Sequence, residues 1–235
     1  MLNPNLVSKK RNIDIVFCMD GTGSMRPCIE SIKENAKSFY MNLVGYMTGA
    51  GSDIDLLRVK FIVFRDYKSD GDEAMVESSF FELPDDEDAL SDYLGGIRAH
   101  GGCGQDANGL EALYLAMKSD FCTGLNDRQI IVMFADTTAL NLGRRAKCEG
   151  YPADMVDRDG LSRAWMCIGQ DSSLKLRERN KRLVIFAPQD TVYEEISRSF
   201  NRCVYTPVEN SKGLQDITFD DIIKIIAASA SGGFS

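Results

Sequence analysis

A run of apolar residues from Ile13 to Met19, interrupted only by Asp14, stops abruptly at Asp20 and gives way to Gly-Thr-Gly-Ser. A stretch so uniformly apolar at strand length reads as a strand covered on both faces, as in a parallel sheet with helices above and below. Met25 to Met47 then follows helical spacing, with Pro27 in the first turn, where its missing N–H is tolerated. A buried strand ending in a small, oxygen-rich loop at a helix N-terminus delivers that loop to the carboxyl edge of the sheet. Open α/β sheets bind their ligands at that edge.

The spacing Asp20-x-Thr22-x-Ser24 has two chemical readings. One carboxylate and two hydroxyls at alternate positions of a tight loop converge on one hard cation, with Gly21 and Gly23 letting the backbone fold closely. An all-oxygen set suits Mg²⁺, Mn²⁺ or Ca²⁺ rather than Zn²⁺. In the other reading, Thr22 or Ser24 caps the following helix and Asp20 favours its positive end. Three enzymatic loops are not matched. Arg26 stands where a dinucleotide fingerprint needs its third glycine, and the Gly-Lys-Ser/Thr of a P-loop is absent. Cys18 occupies the position of the nucleophile in the Asp-x-Asp-Gly-Thr pattern of haloacid-dehalogenase-type phosphatases.

The rest of the chain alternates strands and helices. Val59–Tyr67 reads as the second strand, and Ala74–Leu83 as a short antiparallel edge strand after the turn Ser69–Glu73. Pro84 and the acidic run Asp85–Asp88 start a helix to about Leu94. The glycine-dense loop His100–Gly109 leads into the apolar helix Leu110–Met117. Arg128–Ala135 is again an apolar strand, ending in Asp136-Thr-Thr, so two strands send terminal acids to one edge. Helical turns are expected at Asp159–Gly169 and Ser172–Asn180, then the strand Leu183–Ala187, the amphipathic helix Thr191–Phe200, the strand Cys203–Thr206 and the helix Phe219–Ala228. This pattern predicts an α/β fold: a doubly wound, Rossmann-like, mostly parallel sheet with one antiparallel edge strand and helices on both faces. Residues 1–12 form a lead-in, 13–230 the domain and 231–235 a tail.

Composition narrows the setting. The chain has 235 residues, 44% of them hydrophobic, enough for the core of one large α/β domain. Its net charge of −8 argues against nucleic acid and anionic membranes as partners. The local exception, Lys175–Arg182, reads as a solvated helix face and strand lead-in rather than a binding patch. Seven cysteines at irregular spacing, with no Cys-x-x-Cys, describe reduced thiols without a disulfide framework or zinc site. No stretch has membrane-spanning length, and Met1–Asn12 lacks the apolar centre of a signal peptide. The expected setting is a reducing cytoplasm, bacterial or otherwise.

Asp20-Gly-Thr-Gly-Ser24 after an apolar strand resembles the first loop of a von Willebrand factor A-type domain, where it forms the metal-ion-dependent adhesion site. Phe64-Arg-Asp-Tyr67, the glycine loop and Phe134-Ala-Asp136 are similar to the bacterial intracellular branch of that family. The resemblance implies a site that binds a divalent cation through three loops, with a partner's carboxylate completing the coordination. Asp20, Thr22 and Ser24 match the first loop, and Asp136 matches the third-loop acid. The second loop departs: Gly104 stands where relatives carry Asp, leaving Asp106, two positions on, as the substitute ligand.

Other residues carry competing readings. Asp66 is either an acceptor behind the metal ligands or a local loop-fixing group, the latter favoured. His100, the single histidine, reads as a loop residue, Cys103 as a small loop side chain, Trp165 and Met166 as core, and Glu111 as part of a helix face. The function expected is a non-catalytic interaction module, in which Mg²⁺ (or Mn²⁺ or Ca²⁺) is held by Asp20, Thr22, Ser24, Asp136 and Asp106. The partner would be another protein presenting Asp or Glu to the metal, with no small-molecule cofactor. A metal-dependent hydrolase or phosphotransfer enzyme using the same loops, and a metal-free scaffold, are the alternatives.

Overall fold

In the computed structural model, which describes residues 10–102, 106–169 and 174–231, the apolar run becomes the central strand of the sheet. This strand, β1 (Arg11–Asp20), is followed by a 3₁₀ turn at Gly23–Met25 and the long helix α1 (Arg26–Gly49). The strand β2 (Ile54–Phe64) and the short helix α2 (Tyr67–Asp70) come next, then β3 (Met75–Glu77), β4 (Phe81–Leu83) and α3 (Glu87–Gly96). The second half adds α4 (Gly109–Met117), β5 (Arg128–Phe134), α5 (Arg158–Trp165), β6 (Lys181–Ala187), α6 (Val192–Ser199), β7 (Cys203–Pro207) and α7 (Phe219–Ser231). No helix among the described residues is long and apolar enough to cross a membrane.

The strand order is β3-β2-β1-β5-β6-β7, with β4 also paired to β2. From β2 to β7 every pairing is parallel, while β3 and β4 run antiparallel to β2. The α/β, doubly wound class read from the sequence is the one observed, with its antiparallel edge broken into two short pieces. Alternation along β1 explains its composition. Ile13, Ile15, Phe17 and Met19 pack with α1, α3 and α7, while Val16 and Cys18 pack with α4, α5 and α6. A strand with a helical layer on each side has no solvent face to make polar.

The chain leaves β1 through α1 to pair with β2 on one side, and β5 later takes the other side. Connections running opposite ways from two adjacent strands leave a crevice at their carboxyl ends. Asp20 ends β1, and Asp136 lies two residues past β5, so both stand at this crevice.

Three expectations are corrected. The segment expected to be helical over Ser172–Asn180 is irregular over its described part, 174–180. The buried Gln129 side chain supplies the reason: it donates to Lys175 O at 2.9 Å and accepts from Arg177 N at 2.7 Å, tying down backbone groups a helix would need. The basic run is not wholly solvated either, because Lys181 and Arg182 are buried. The second strand begins at Ile54, five residues earlier than the apolar run suggests, because its first half is only partly buried. Glu111 lies on the helix α4, as expected, on its buried face. Cys103 and Gly104 lie outside the described residues.

Asp14, the interruption in the apolar run, is fully buried and meets Arg58 of β2 in a two-pronged ion pair, both contacts 2.8 Å. Arg58 in turn lies over the Phe80 ring. Removing one member of such a pair strands the other charge. Arg58→Met should therefore lower stability by about 3 kcal/mol, and Asp14→Ala added to it should recover part of the loss. Chemical unfolding of the two variants measures both effects.

Candidate functional site

Four side chains from the two strand ends meet at the crevice. Asp20 is 1% exposed, and its Oδ1 accepts from Thr22 N at 2.8 Å, which bends the loop back over the strand end. The Thr22 and Ser24 hydroxyls are 3.4 Å apart. Ser24 Oγ donates to Asp136 Oδ1 at 3.1 Å, joining the first loop to the end of the neighbouring strand. Neither hydroxyl caps a helix: no side-chain cap bond is made at the start of the 3₁₀ turn or of α1. Ser24 is exposed and Thr22 half-buried, so the hydroxyls lie on the solvent side of two buried carboxylates.

The surrounding residues hold this geometry. Arg65, just past β2, spends its guanidinium on backbone, donating to Gly21 O (3.1 Å), Glu73 O (2.7 Å) and Arg98 O (2.6 Å). Gly21 is required by this approach: a Cβ there would lie 2.7 Å from Val63 Cγ1 and 2.8 Å from the Arg65 guanidinium carbon. The glycine loop reaches the first loop through backbone, His100 N donating to Gly21 O at 3.0 Å. A Cβ on Gly102 would stand 3.0 Å from that of Thr22. A fourth segment, after β7, closes the back. Gly213 N donates to Asp136 Oδ2 at 3.0 Å, and Ser211 N to Asp136 O at 2.7 Å. Gly213 has φ +58°, and a Cβ there would meet Ser24 O at 2.3 Å.

Of the residues singled out from sequence, Asp20, Thr22, Ser24 and Asp136 come together. Asp106 is half-buried; no hydrogen bond joins it to those four, and its charge, with that of Asp20, acts on the buried Tyr193 phenol. Asp66 is engaged elsewhere. It caps α2 through Lys68 N (3.1 Å) and forms a two-pronged ion pair with Arg145 at 2.5 and 2.7 Å. Burial works to raise its pKa, but these hydrogen bonds outweigh that and hold the carboxylate below its usual range. His100 lies beside Glu73, Nε2 to Oε2 2.5 Å. Trp165 is core, stacked on Phe200. Glu111 is buried, accepting from Tyr151 at 3.0 Å, and burial raises its pKa.

Sequence assigns no role to Gly213 or Tyr151, and to Arg65 only a share in the Arg-Asp-Tyr hydrogen bonds that fix the loop. A charge placed directly after an apolar strand was the available signal for Arg65. The polar Asn210-Ser-Lys-Gly turn after the last strand was the signal for Gly213, though nothing local ties it to Asp136.

The donor set fits a small hard cation. Ligand oxygens at adjacent corners of an octahedral ion, each about 2.1 Å from it, are about 3 Å apart. The observed gaps of 3.4 Å and 3.1 Å are of that size. Two carboxylates and two hydroxyls offer only oxygen, and among the described residues no three His, Cys, Asp or Glu side chains gather as an alternative metal centre. Among the described residues the two acids also lack a dedicated counter-charge. Burial first, and Asp136 in addition, push the Asp20 carboxyl up to about 6 against the opposing hydrogen bonds from Thr22 and the charge of Arg65.

No family model and no curated protein matches the chain. Among solved structures, the fold is similar to the pilus adhesin SpaC from Lactobacillus rhamnosus GG, with a TM-score of 0.52 and 12% identity over 95% of this chain and 31% of that one. The open conformation of the same adhesin gives 0.52 and 13%, over 95% and 30%. Proximal thread matrix protein 1 from the mussel byssus aligns with a TM-score of 0.48 at 12% identity, over 95% of this chain and 49% of that one. At such identities the likeness is one of fold, and this chain spans less than a third of the adhesin's length.

Two outcomes follow for the metal-free protein. An acid whose pKa is higher folded than unfolded binds more protons in the folded state, so stability falls as pH rises from about 4 through 6. The Asp20 contribution is about 3 kcal/mol, and Asp20→Asn should remove it, leaving the variant more stable than wild type at pH 7 in chelator. Thermal unfolding across pH reads the difference. Gly213→Ala, strained at its positive φ and driven into Ser24 O, should cost at least about 2 kcal/mol in the same assay.

Proposed function

We propose that this chain is a non-catalytic protein-interaction module of the von Willebrand factor A type, which recognises an acidic residue of another protein through a divalent cation. The observation that carries the reading is the link from Ser24 Oγ to Asp136 Oδ1, with Thr22 Oγ1 beside it, at the crevice between β1 and β5. In this reading Thr22 and Ser24 hold Mg²⁺ (or Mn²⁺ or Ca²⁺) by their hydroxyls, and Asp20 and Asp136 supply negative charge directly or through water. Asp106 is the acid that the second loop offers. When bound, the cation supplies an electrophilic centre with room for a carboxylate oxygen from outside the chain.

The chain's own residues account for the rest. Gly23 and Ser24 are exposed and Thr22 is half-buried, which keeps the outer side of the site open to a partner. Asp20 and Asp136 are buried, which leaves their charge poorly screened and directed at whatever occupies the crevice. Arg65 and Gly213 hold the loops in place beforehand, so little ordering is needed on binding. The surrounding loops, around residues 98–109 and 137–158, would set which partner fits. The fold-level likeness to a pilus adhesin is in keeping with a recognition role.

Calorimetric titration with Mg²⁺ and Mn²⁺ tests the first half of the proposal. Ser24→Ala and Thr22→Val, which remove one hydroxyl each, and Asp20→Asn, which keeps the acceptor for Thr22 N, should each weaken binding at least about ten-fold. Pull-down in Mg²⁺ against EDTA tests the second half. A partner retained equally in EDTA, or by Asp20→Asn, contradicts recognition through the metal.

A further inference from the structure

The amino edge of the sheet, opposite the candidate site, concentrates positive charge in a chain whose net charge is −8. Arg11 opens β1, Arg128 opens β5, and Arg182 is the second residue of β6. These three strands are neighbours. Arg128 is in register with Ile13, and Arg182 with Ile130, which sets both arginines on the face that α7 covers. Arg11 is on that face too, its Nη1 donating to Ala230 O of α7 at 2.8 Å. Arg202, in the turn before β7, completes the group: with Arg11 it acts on both Arg128 and Arg182.

These guanidinium groups are only half used. Each of the three on the strands turns Nη1 to backbone carbonyls: Arg11 to Ala230 O, Arg128 to Asp127 O at 3.0 Å and Asn126 O at 3.3 Å, and Arg182 to Lys181 O at 2.6 Å and Arg179 O at 3.3 Å. The Nε atoms of all three are buried without a hydrogen-bond partner, although Arg11 and Arg182 are 7% and 5% exposed. Among the described residues none of the three makes an ion pair, and no hydrogen bond takes their Nη2 atoms. Asp127 favours the charge of Arg128 and Glu178 that of Arg182, but neither acid reaches these three guanidinium groups with a hydrogen bond, and both are bonded elsewhere. Asp127 accepts from Asn12 N and Gly124 N, and Glu178 takes Lys181 and Asn201, with Arg202 at 3.5 Å. Burial, then repulsion from Arg128, Arg202 and Arg11, pushes Arg182 down to about 10.

Like charges gathered at low exposure with unsatisfied donors describe a site lacking its counter-ion. The planar guanidinium fork matches a tetrahedral oxyanion in pairs of hydrogen bonds. We propose that Arg11, Arg128, Arg182 and Arg202 form a binding site for a phosphate group, free or carried as a phosphate monoester. Half-buried Arg128 and exposed Arg202 leave the cluster open to solvent at the sheet edge. The lone contact of Arg11 with α7 accounts for one nitrogen of the set, and a helix-capping role leaves the other arginines unexplained.

Thermal unfolding in sodium phosphate against sodium chloride at equal ionic strength reads the site, with O-phosphoserine and glycerol 3-phosphate as the ester arms. At ten times the dissociation constant, phosphate should raise the wild-type midpoint by roughly 3–6 °C. The shift should vanish in Arg182→Gln and persist in Ser24→Ala at the opposite edge. A larger shift with the esters than with the inorganic ion assigns the site to an esterified ligand, and the reverse to free phosphate. Should Arg182→Gln fail to fold, Arg128→Lys, which keeps the charge but loses the fork, should at least halve the shift. No phosphate-specific shift in the wild type, or an equal shift in the arginine variants, overturns the proposal. So does an Arg182→Gln protein that is more stable than wild type while phosphate affects neither, because the charges are then simply tolerated by the fold.

Discussion

The hydrogen bond from Ser24 Oγ to Asp136 Oδ1 joins the ends of two strands that the chain reaches more than a hundred residues apart. It is possible only because β1 and β5 are neighbours with their connections leaving in opposite directions. The crevice that results is a property of the topology. The side chains at its floor are what make it chemical: two buried acids under two outward hydroxyls. Burying those acids costs stability, and the fold meets the cost with backbone N–H groups rather than cations. Thr22 N serves Asp20 and Gly213 N serves Asp136, while Arg65 is turned to carbonyls instead.

The two edges of the sheet therefore carry opposite electrostatic problems. At the carboxyl edge, acids lie close together with no side-chain cation dedicated to them among the described residues. At the amino edge, arginines from neighbouring strands crowd beneath α7 with donors to spare. Between them β1 is apolar on both faces, and the buried acid that interrupts it, Asp14, has its own arginine. A paired charge inside the sheet and unpaired charges at its ends is the distribution expected where the ends, and not the middle, meet ligands.

Much of this was legible because burial on both faces leaves a strong mark on composition. The apolar runs ending in Asp20 and Asp136 gave the parallel strands, their direction and the shared edge. Half-exposed elements left weaker marks: the start of β2 is only partly buried, and the antiparallel edge splits into two three-residue pieces. Long-range side-chain roles left none. Gln129 looks like one polar residue at the start of a strand, yet it holds Lys175 and Arg177 out of a helix. Asp66 could be read as a loop-fixing group from Arg-Asp-Tyr alone, but its partner, Arg145, lies 79 residues away. The hydroxyls of Thr22 and Ser24 could equally have capped a helix, and only the coordinates separate that arrangement from the one observed.

The most direct measurement is a crystal of this protein soaked in Mn²⁺ and recorded at a wavelength where manganese scatters anomalously. The account predicts one strong peak at the crevice, within about 2.3 Å of both the Thr22 and the Ser24 hydroxyl oxygens. A fully soaked crystal with no peak there, or with manganese held only by acids away from these two hydroxyls, would contradict it.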